Sequence, residues 1–506
     1  MSTILEPQVL PADQYNQVLV ENTHPPSWQN PKPAGRYNLV VIGAGTAGLV
    51  SAAGTAVLGA KVALVERHLM GGDCLNYGCV PSKALISAAR AAYAVTDASK
   101  LGITSEMKQL NFADIMRRLR RVRAEISVHD SVQRFSNLGV EVFLGNAQFR
   151  SKHTVEVGGT ELAFSKAIIA TGARAARLPV PGFEEAGYLT NETVFSLTEL
   201  PRRLVVIGAG PIGCELAQSF RRLGSEVTII TRGSTLLPRE DSDAAAILRE
   251  QFEREGIHIV LNAKLLGAEA AASGKRVLFD RGQGKKEVTG DDILVAVGRA
   301  SNIEGLGLEA AGVKYDRTGV IVNDFLRTSN PSIYAAGDIS SKYKFTHAAE
   351  ALARIALQNA LFYGRKRASE LVIPWCTYTD PEIAHVGLNA TEAAKRGIPI
   401  ETFTARLDDN DRAIVDGHTE GFARIHVGKK TGKIVGATLV SSHAGESVGE
   451  LVLAQQRSLK AADLSGIIHP YPTEAEIIKR LGDSSLKSRL KPWIQRMLVA
   501  FFKLRR

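Results

Sequence analysis

Residues 38–48 read NLVVIGAGTAG, a short apolar run followed at once by Gly43, Gly45 and Gly48. The run suits a buried parallel strand, and the Ala-rich stretch after it predicts a helix that ends at Leu58. Between a strand and a helix, the first glycine makes the turn, the second lets a pyrophosphate approach the backbone, and the third lets the helix pack on the strand. This stretch therefore predicts a dinucleotide-binding unit.

The second strand of this unit is predicted over residues 61–66, KVALVE, and it ends at Glu66. A carboxylate at this place can accept hydrogen bonds from a ribose diol. The unit is therefore expected to bind a dinucleotide with an unphosphorylated adenosine ribose, as in FAD.

A second copy of the arrangement begins at residue 203. It consists of a strand, three glycines, a helix and another strand, namely 203–207, Gly208, Gly210, Gly213, a helix through Arg222, and 226–230. Its last strand is followed by Thr231 and Arg232, with Arg239 further on. The missing carboxylate removes repulsion towards a 2′-phosphate and the arginines supply partners for it, so NADPH is expected, with NADH as the alternative.

The most specific passage is GGDCLNYGCVPSK, residues 71–83, which contains Cys74 and Cys79. In a short helical turn this spacing can bring two sulfurs to bonding distance, and a pair held against a flavin can be reduced by it and exchange with a substrate. A structural disulfide is disfavoured in a reducing compartment, and a metal site is disfavoured because no second Cys or His pair has matching spacing. Cys214 and Cys376 are expected to be packing residues.

From about Tyr37 to Leu481 the chain resembles the class I flavoprotein disulfide reductases, the family of glutathione reductase, dihydrolipoamide dehydrogenase and mercuric reductase. The motifs that carry the resemblance occur in the family's order: both glycine units, the Cys-x-x-x-x-Cys helix ending in Pro-Ser-Lys, Ala-Thr-Gly at 170–172 and Ala-Gly-Asp at 336–338. Residues 215–218, 222–225 and 232–236 are most similar to the mercuric reductase branch. The resemblance implies an α/β fold with two Rossmann-like dinucleotide-binding domains, for FAD and NAD(P), plus an α+β C-terminal dimerisation domain in a homodimer.

The resemblance also implies roles for single residues. Cys74 becomes the interchange thiol that attacks substrate, and Cys79 the thiol beside the flavin. Lys83 lies near the flavin and pairs with Glu215. Further residues implied to contact the cofactors are Gly72, Asp73, Thr171, Gly172, Gly298, Asp338 and Ala348.

The C-terminal base of this family is a histidine in the pattern His-Pro-Thr-x-x-Glu, supplied across a dimer interface. Residues 469–476 read HPYPTEAE, which places Tyr471 at the histidine position and Glu476 at the position of its carboxylate partner, with His469 two residues earlier. Tyrosine here is similar to the mercuric reductase branch. Since a tyrosine with an ordinary pKa of about 10 shuttles protons poorly at neutral pH, fast turnover of a dithiol is not expected.

The sequence also departs from the mercuric reductases. It has no C-terminal vicinal cysteine pair and no cysteine pair before residue 37, so the thiolates that deliver Hg(II) are missing. The acceptor is therefore expected to be a small molecule, either a disulfide or another acceptor, or a metal ion, and no resident metal site is predicted.

The net charge of +10 arises from 62 Lys and Arg against 52 Asp and Glu, and residues 487–506 contribute seven cations and no acidic residue. The body is close to neutral and lacks basic residues interleaved with aromatics or zinc-finger spacing, so nucleic acid is not an expected partner. Neither a signal peptide nor a spanning helix is predicted, which favours a cytoplasmic protein.

Both ends of the chain lie outside the resemblance. Residues 1–36 contain six prolines and are expected to form an extended arm without helix or strand, either docked or mobile. Near the other end, seven apolar residues fall on one face of a basic helix: Leu490, Trp493, Ile494, Met497, Leu498, Phe501 and Leu504. Such a helix can contact a membrane surface peripherally at its inner face, or dock on protein.

The predicted organisation has six parts: an N-terminal extension (1–36), the first part of the FAD domain (37–178), the NAD(P) domain (179–298), the second part of the FAD domain (299–370), the interface domain (371–485) and the tail (486–506). Three functions are compatible with it. The first is a mercuric reductase-like oxidoreductase. The second is a dihydrolipoamide dehydrogenase, which Thr231, Arg232 and Tyr471 disfavour. The third is a membrane-recruited redox-sensing or partner-binding flavoprotein.

Overall fold

The computed structural model describes residues 7–505, which fall into two units. Unit 1 is built from the described part of Met1–Val95 with Met107–Arg232 and His258–Leu371. Unit 2 is built from Thr96–Glu106, Gly233–Ile257 and the described part of Val372–Arg506.

The helices, in chain order, are α1 (Gln14–Thr23), α2 (Thr46–Val57), α3 (Gly72–Asn76), α4 (Cys79–Asp97), α5 (Phe112–Ser127), α6 (Val132–Asn137), α7 (Phe183–Ala186), α8 (Pro211–Arg222), α9 (Ser242–Arg254), α10 (Thr346–Leu361), α11 (Ala390–Lys395), α12 (Asp411–Asp416), α13 (Ala444–Gln456), α14 (Ile477–Arg489) and α15 (Pro492–Leu504). Short 3-10 turns lie at Ala98–Leu101, Val128–Asp130, Val194–Ser196, Ala368–Glu370, Leu407–Asp409, Ala461–Gly466 and Glu474–Glu476.

The strands of unit 1 are β1 (Tyr37–Ile42), β2 (Val62–Glu66), β3 (Glu141–Leu144), β4 (Ala147–Ser151), β5 (Thr154–Val157), β6 (Thr160–Ile169), β7 (Ala173–Ala175), β8 (Arg203–Ile207), β9 (Glu226–Ile230), β10 (His258–Val260), β11 (Lys264–Ala271), β12 (Gly274–Asp280), β13 (Lys285–Gly290), β14 (Asp292–Val295), β15 (Arg299–Ser301), β16 (Tyr315–Asp316), β17 (Gly319–Val320) and β18 (Ile333–Ala335). Those of unit 2 are β19 (Pro374–Thr377), β20 (Glu382–Gly387), β21 (Ile400–Arg406), β22 (Phe422–Gly428) and β23 (Ile434–Ser441).

The first glycine unit belongs to a seven-stranded sheet in the order β3-β2-β1-β6-β5-β4, with β18 also paired to β6. Strand β1 runs parallel to both neighbours, with Val41 opposite Leu64 and Ile168. Alternate residues of β1 enter two different core clusters, Leu39 and Val41 on one face and Val40 and Ile42 on the other. Burial on both faces explains why this strand reads as a continuous apolar run.

The second glycine unit belongs to a parallel four-stranded sheet in the order β10-β9-β8-β14. In both sheets the glycine turn lies between the first strand and its helix, β1–α2 and β8–α8. The carboxyl end of the strand and the amino end of the helix therefore meet at each turn, which is where the nucleotide phosphates bind in folds of this kind. The predicted pair of Rossmann-like units is confirmed.

The N-terminal extension differs from the prediction of an arm without helix or strand, because it contains helix α1. Residues 12–24 contain no proline, and Asp13 caps the helix by accepting from the backbone N–H groups of Tyr15 and Asn16. Leu19 is fully buried and packs against Leu69 and Leu75. The prolines thus delimit a docked helix, which tertiary burial stabilises.

Unit 2 contains a five-stranded antiparallel sheet in the order β19-β20-β23-β22-β21. Its main apolar cluster combines strand residues such as Ile425 and Leu439 with Leu451 of α13 and Ile478 of α14. This mixture of an antiparallel sheet and helices confirms the predicted α+β C-terminal region.

The predicted tail helix is shorter at its start than the apolar pattern suggested. Leu490 is the C-cap residue of α14, and α15 begins only at Pro492. Proline is favoured at the first helical position but disfavours helical conformation in the preceding residue, so Lys491 separates the two helices. Leu490 therefore does not belong to α15.

Candidate active site

The first glycine turn is too tight for any other residue at two of its positions. Gly43 has φ +101°, and a Cβ there would lie 2.4 Å from the carbonyl oxygen of Ala170. A Cβ on Gly48 would lie 1.7 Å from the carbonyl oxygen of Gly43, so the third glycine lets α2 pack against the turn. Gly72 approaches Gly45 equally closely, since its Cβ would lie 2.5 Å from the Gly45 Cα. The start of α3, the helix that contains Cys74, therefore packs directly on the nucleotide turn.

Glu66 is positioned by the same turn. One of its carboxylate oxygens accepts from the backbone N–H of Ala44 at 2.7 Å, and the other accepts from the N–H of His68 at 2.8 Å. Burial raises the pKa of Glu66, while these two hydrogen bonds lower it. Each oxygen retains acceptor capacity, which suits two ribose hydroxyls.

The second turn repeats this geometry. A Cβ on Gly208 would lie 2.5 Å from the carbonyl oxygen of Ala296, and one on Gly213 would lie 2.2 Å from that of Gly208. A Cβ on Gly210, by contrast, would meet no atom within 4 Å, so the backbone at this position is open to a ligand. Gly45 and Gly210 are the N-cap residues of α2 and α8, and neither helix start has a side-chain cap. Uncapped N–H groups at both helix starts fit two pyrophosphates.

Arg299 joins two of the predicted cofactor residues, Asp73 and Asp338. Its guanidinium forms ion pairs with Asp73 at 3.1 Å and with Asp338 at 3.5 Å, and it donates to the carbonyl of Ala173 at 2.7 Å. Burial raises the pKa of Asp338, and the Arg299 charge opposes that shift. Asn191 also donates to Asp73, at 3.2 Å. These contacts hold both carboxylates of the predicted FAD site in place.

Thr171 and Gly172 lie at the end of β6, in a loop tied to Asn302. The Thr171 hydroxyl donates to the Asn302 carbonyl at 2.9 Å, and the Asn302 amide donates to the Thr171 carbonyl at 2.8 Å. Gly172 and Gly298 have φ of +66° and +124°, a conformation that favours glycine, with no atom within 4 Å of a Cβ position. Ala348 is buried in the first turn of α10.

Cys74 and Cys79 are free thiols, Cys74 in α3 and Cys79 at the start of α4. The hydrogen bond from Cys74 lowers the pKa of Cys79 to about 6, and the nearby Lys83 charge lowers it further, against the effect of burial. The same hydrogen bond raises the pKa of Cys74. Thr346 lies 3.3 Å from the Cys79 sulfur. The pair therefore shares one proton, with the thiolate on Cys79 and the thiol on Cys74.

Lys83 and Glu215 form an ion pair of 2.8 Å between α4 and α8. The Glu215 side chain is only 7% exposed, whereas that of Lys83 is 37% exposed. The buried carboxylate therefore fixes the position of an ammonium group that solvent or a ligand can still reach.

The predicted C-terminal residues lie in unit 2 and make partnerships that the sequence pattern did not indicate. Tyr471 is 72% exposed, and its hydroxyl donates to Asp411 at 2.7 Å. This hydrogen bond raises the pKa of Tyr471. Glu476, placed by the family pattern beside residue 471, forms its ion pair with Arg480 at 3.5 Å.

His469 is shielded from solvent and contacts a carboxylate on helix α13. Its Nε2 atom lies 3.0 Å from a carboxylate oxygen of Glu450 on α13, and its side chain is 6% exposed. His469 thus contributes to the packing of unit 2, while Tyr471 presents the accessible polar group of this segment.

The two arginines expected to bind a 2′-phosphate are both exposed. Arg232 directly follows Thr231 at the end of β9 in unit 1. Arg239 belongs to unit 2, where its backbone carbonyl accepts from the Asn389 amide at 3.3 Å. The preference for NADPH stays a prediction.

Sequence reasoning missed Arg299 and Asp411. Arg299 directly follows Gly298, which the motifs did select, so the signal was local but unspecific. Asp411 lies 60 positions from Tyr471, and no spacing rule links the two. Within residues 7–505, no group of three or more His, Cys, Asp or Glu side chains is arranged to hold a metal ion.

Residues 37–353 match the family described as pyridine nucleotide-disulphide oxidoreductase, and residues 373–481 match its dimerisation domain. A mercuric reductase of Lysinibacillus sphaericus is 34% identical over 88% of this chain and 81% of its own length. A dihydrolipoyl dehydrogenase of Thermus scotoductus is 36% identical over 87% of this chain and 95% of its own. A solved Cu(II) complex of the HOCl-induced flavoprotein disulfide reductase RclA from Escherichia coli is 27% identical, with a TM-score of 0.79, over 89% of this chain and 100% of its own.

Proposed function

Since the chain belongs to the pyridine nucleotide-disulphide oxidoreductase family, which uses FAD and NAD(P)H, we propose that it is an NADPH-dependent reductase of thiophilic metal ions acting through Cys74 and Cys79. The match of residues 373–481 to the dimerisation domain indicates a homodimer. The observation that carries the proposal is the cysteine pair itself, two free thiols at the junction of α3 and α4, of which Cys79 lies 3.3 Å from the Thr346 hydroxyl and has a pKa lowered to about 6.

The residues that would hold the cofactors are those of the two turns. Gly45 and Gly210, with the helix starts behind them, would bind the pyrophosphates, and Glu66 would bind the adenosine ribose of FAD. Asp338, fixed by Arg299, would bind the ribityl part of FAD. When bound, FAD supplies a two-electron carrier that takes a hydride from the nicotinamide and reduces a disulfide.

The cysteine pair carries out the step at the acceptor. A thiol and a thiolate ligate the soft ion, since thiolates are its preferred ligands. Formation of the bond between the Cys74 and Cys79 sulfurs releases two electrons and one proton. Two Cu(II) ions are thereby reduced to Cu(I), or one Hg(II) ion to metallic mercury, and the proton passes to solvent.

Tyr471 favours a metal ion over a disulfide as the acceptor. Disulfide reduction needs a group that protonates a leaving thiolate, and the reverse reaction needs a base. The hydrogen bond to Asp411 raises the pKa of Tyr471, so the hydroxyl is a weak acid and is not available as a base at neutral pH. Metal ion reduction has no leaving thiolate to protonate, and its one proton, which comes from the Cys74 thiol, passes to solvent. The similarity to the Cu(II)-binding RclA adds support.

Dihydrolipoamide dehydrogenase activity is the second candidate, favoured by the similarity to a dihydrolipoyl dehydrogenase at 36% identity. It would require NADH as the partner and fast proton transfer at the position of Tyr471. The exposed Arg232 and the Tyr471–Asp411 hydrogen bond argue against both requirements.

A cytoplasmic location remains our prediction.

The test is an anaerobic titration with NADPH and with NADH, followed by stopped-flow mixing of the reduced enzyme with Cu(II), Hg(II), disulfides and quinones. We expect NADPH to reduce the enzyme faster than NADH, and the metal ions to reoxidise it faster than glutathione disulfide or lipoamide. Faster reoxidation by a disulfide than by both metal ions would refute the proposed acceptor.

A further inference from the structure

Helix α15 has no buried residue. Trp493, Phe502 and Leu504 are 58%, 57% and 88% exposed, and Met497 and Val499 are also exposed. A helix of 13 residues is marginal in water without a surface to pack on. Its apolar side chains therefore need a binding surface, and residues 7–505 do not provide one.

The side chains of α15 are divided between two faces. At 100° per residue, Trp493, Met497, Phe501 and Leu504 lie within one half of the helix circumference, together with Ile494 and Leu498. Arg496 and Lys503 are seven positions apart and lie on the opposite side with Val499, whereas Phe502 lies at the edge of the apolar face. The surface that binds α15 must therefore accept a broad apolar face bordered by cations.

The charge of the C-terminal tail indicates which kind of surface α15 binds. Asp483 is the last acidic residue of the chain, and seven Lys and Arg residues follow from position 487. A surface that matches the tail must be anionic as well as apolar beneath, and an anionic lipid layer has both properties. An aromatic ring at the level of the headgroups, such as that of Trp493, is typical of helices at this interface.

We propose that α15 lies in the surface of an anionic membrane and recruits the enzyme to it peripherally. The helix is about 20 Å long, which is shorter than the hydrocarbon core of about 30 Å. Among the described residues, no helix is both long enough and apolar enough to cross a bilayer. A homodimer carries two such helices. This inference is independent of the identity of the acceptor.

The test is co-sedimentation of the full-length holoenzyme with vesicles of phosphatidylcholine alone or of phosphatidylcholine with phosphatidylglycerol. We expect binding to the anionic vesicles only, and release at high salt. A chain ending at Leu486 should not bind, yet it should keep its rate of FAD reduction by NADPH. Arg496→Gln with Lys503→Gln should weaken binding roughly 25-fold per tail, since each cation near such a surface contributes about a factor of five.

Two further measurements distinguish lipid from protein as the binding partner of α15. Brominated lipids should quench Trp493 fluorescence in the full-length protein, and Trp493→Phe is the matched control, because it leaves Trp28 and Trp375 in place. Equal binding by the chain ending at Leu486, or no binding to anionic vesicles, would overturn the proposal. A third contrary result is that the truncation converts the homodimer to monomers while brominated lipids do not quench Trp493 in the full-length protein. In that case α15 would bind a second copy of the chain and not a membrane.

Discussion

Lys83 and Glu215 lie 132 positions apart in the chain, and their side chains form an ion pair of 2.8 Å. The pair joins α4, which begins at Cys79, to α8, which follows the second glycine turn. One partner is buried and the other is partly exposed, so the carboxylate acts as a fixed anchor for the ammonium group.

Replacement of the anchor should slow electron entry. Glu215→Gln keeps the size of the side chain but removes its charge, so Lys83 is no longer held in one position. We expect FAD reduction by NADPH to slow roughly 10- to 100-fold, because misplacement of about 1 Å near reacting groups has effects of this size. Stopped-flow absorbance measures the rate. Glu156→Gln, which breaks the exposed Arg150–Glu156 pair, is the control and should leave the rate unchanged.

The Cys79 thiolate should titrate near pH 6. Its pKa is below the ordinary value, so the thiolate is present at neutral pH and is lost as the pH falls through about 6. The stability that the thiolate adds to the folded enzyme is lost over the same pH range. The long-wavelength absorption band of the half-reduced enzyme should follow this titration. Thr346→Val removes a hydrogen-bond donor to the thiolate and should move the midpoint upward. A midpoint near the unperturbed value of about 8.5 in the unmodified enzyme would contradict this.

A histidine at position 471 should change the choice of acceptor. Tyr471→His introduces a group that titrates near neutral pH, so turnover with lipoamide or glutathione disulfide should rise by roughly 10-fold or more. Cu(II) reduction should stay within about two-fold, because it needs no such group. Steady-state kinetics with both acceptors in parallel measures the ratio, and an unchanged ratio would show that Tyr471 does not limit disulfide turnover.

Helix α1 should support α3, the helix that contains Cys74. Arg123 is buried and donates to the Asn16 side chain at 2.5 Å and to the Asn76 carbonyl at the end of α3 at 2.8 Å. Arg123→Met removes both charge-assisted bonds, which contribute about 2 kcal/mol each. We expect amide hydrogen exchange in residues 72–76 to accelerate roughly 30-fold or more. Arg121→Met removes an exposed pair with Glu125 and should leave this exchange unchanged.

Coenzyme preference should depend on Arg232. Arg232→Glu replaces a partner for a 2′-phosphate with a repulsive charge, so the KM for NADPH should rise roughly 10- to 100-fold while that for NADH changes little. Arg281→Glu changes another exposed arginine, in the turn between β12 and β13, and serves as the control. A parallel rise for both coenzymes would assign Arg232 to another role.

The sequence predicted those features of the fold and site that depend on local geometry. Gly43, Gly48, Gly208 and Gly213 occupy positions where a Cβ would collide with nearby backbone, so their spacing alone is informative. The Lys83–Glu215 pair followed only from the family resemblance. Contacts set by tertiary packing were not predictable, as the partnership of Tyr471 with Asp411 shows.

The N-terminal extension illustrates the same limit. Its prolines indicated an irregular arm, because the pattern of residues 12–24 does not reveal the surface that covers them. Helix α1 forms because Leu19 packs on Leu69 and Leu75, and because Asp13 binds Arg120 as well as the helix start. These partners lie far away in the chain.

Cu(II) reduction by the Cys74→Ser enzyme shows whether electrons leave the enzyme through the cysteine pair. NADPH should still reduce its FAD at the normal rate, because Cys74 faces the acceptor step and not the hydride step. We predict that NADPH-driven Cu(II) reduction falls by at least about 100-fold in this variant, since a residue that forms the covalent or ligating bond at the reacting centre has effects of this size or larger. Undiminished Cu(II) reduction would contradict the account, since the acceptor would then take its electrons from the flavin itself.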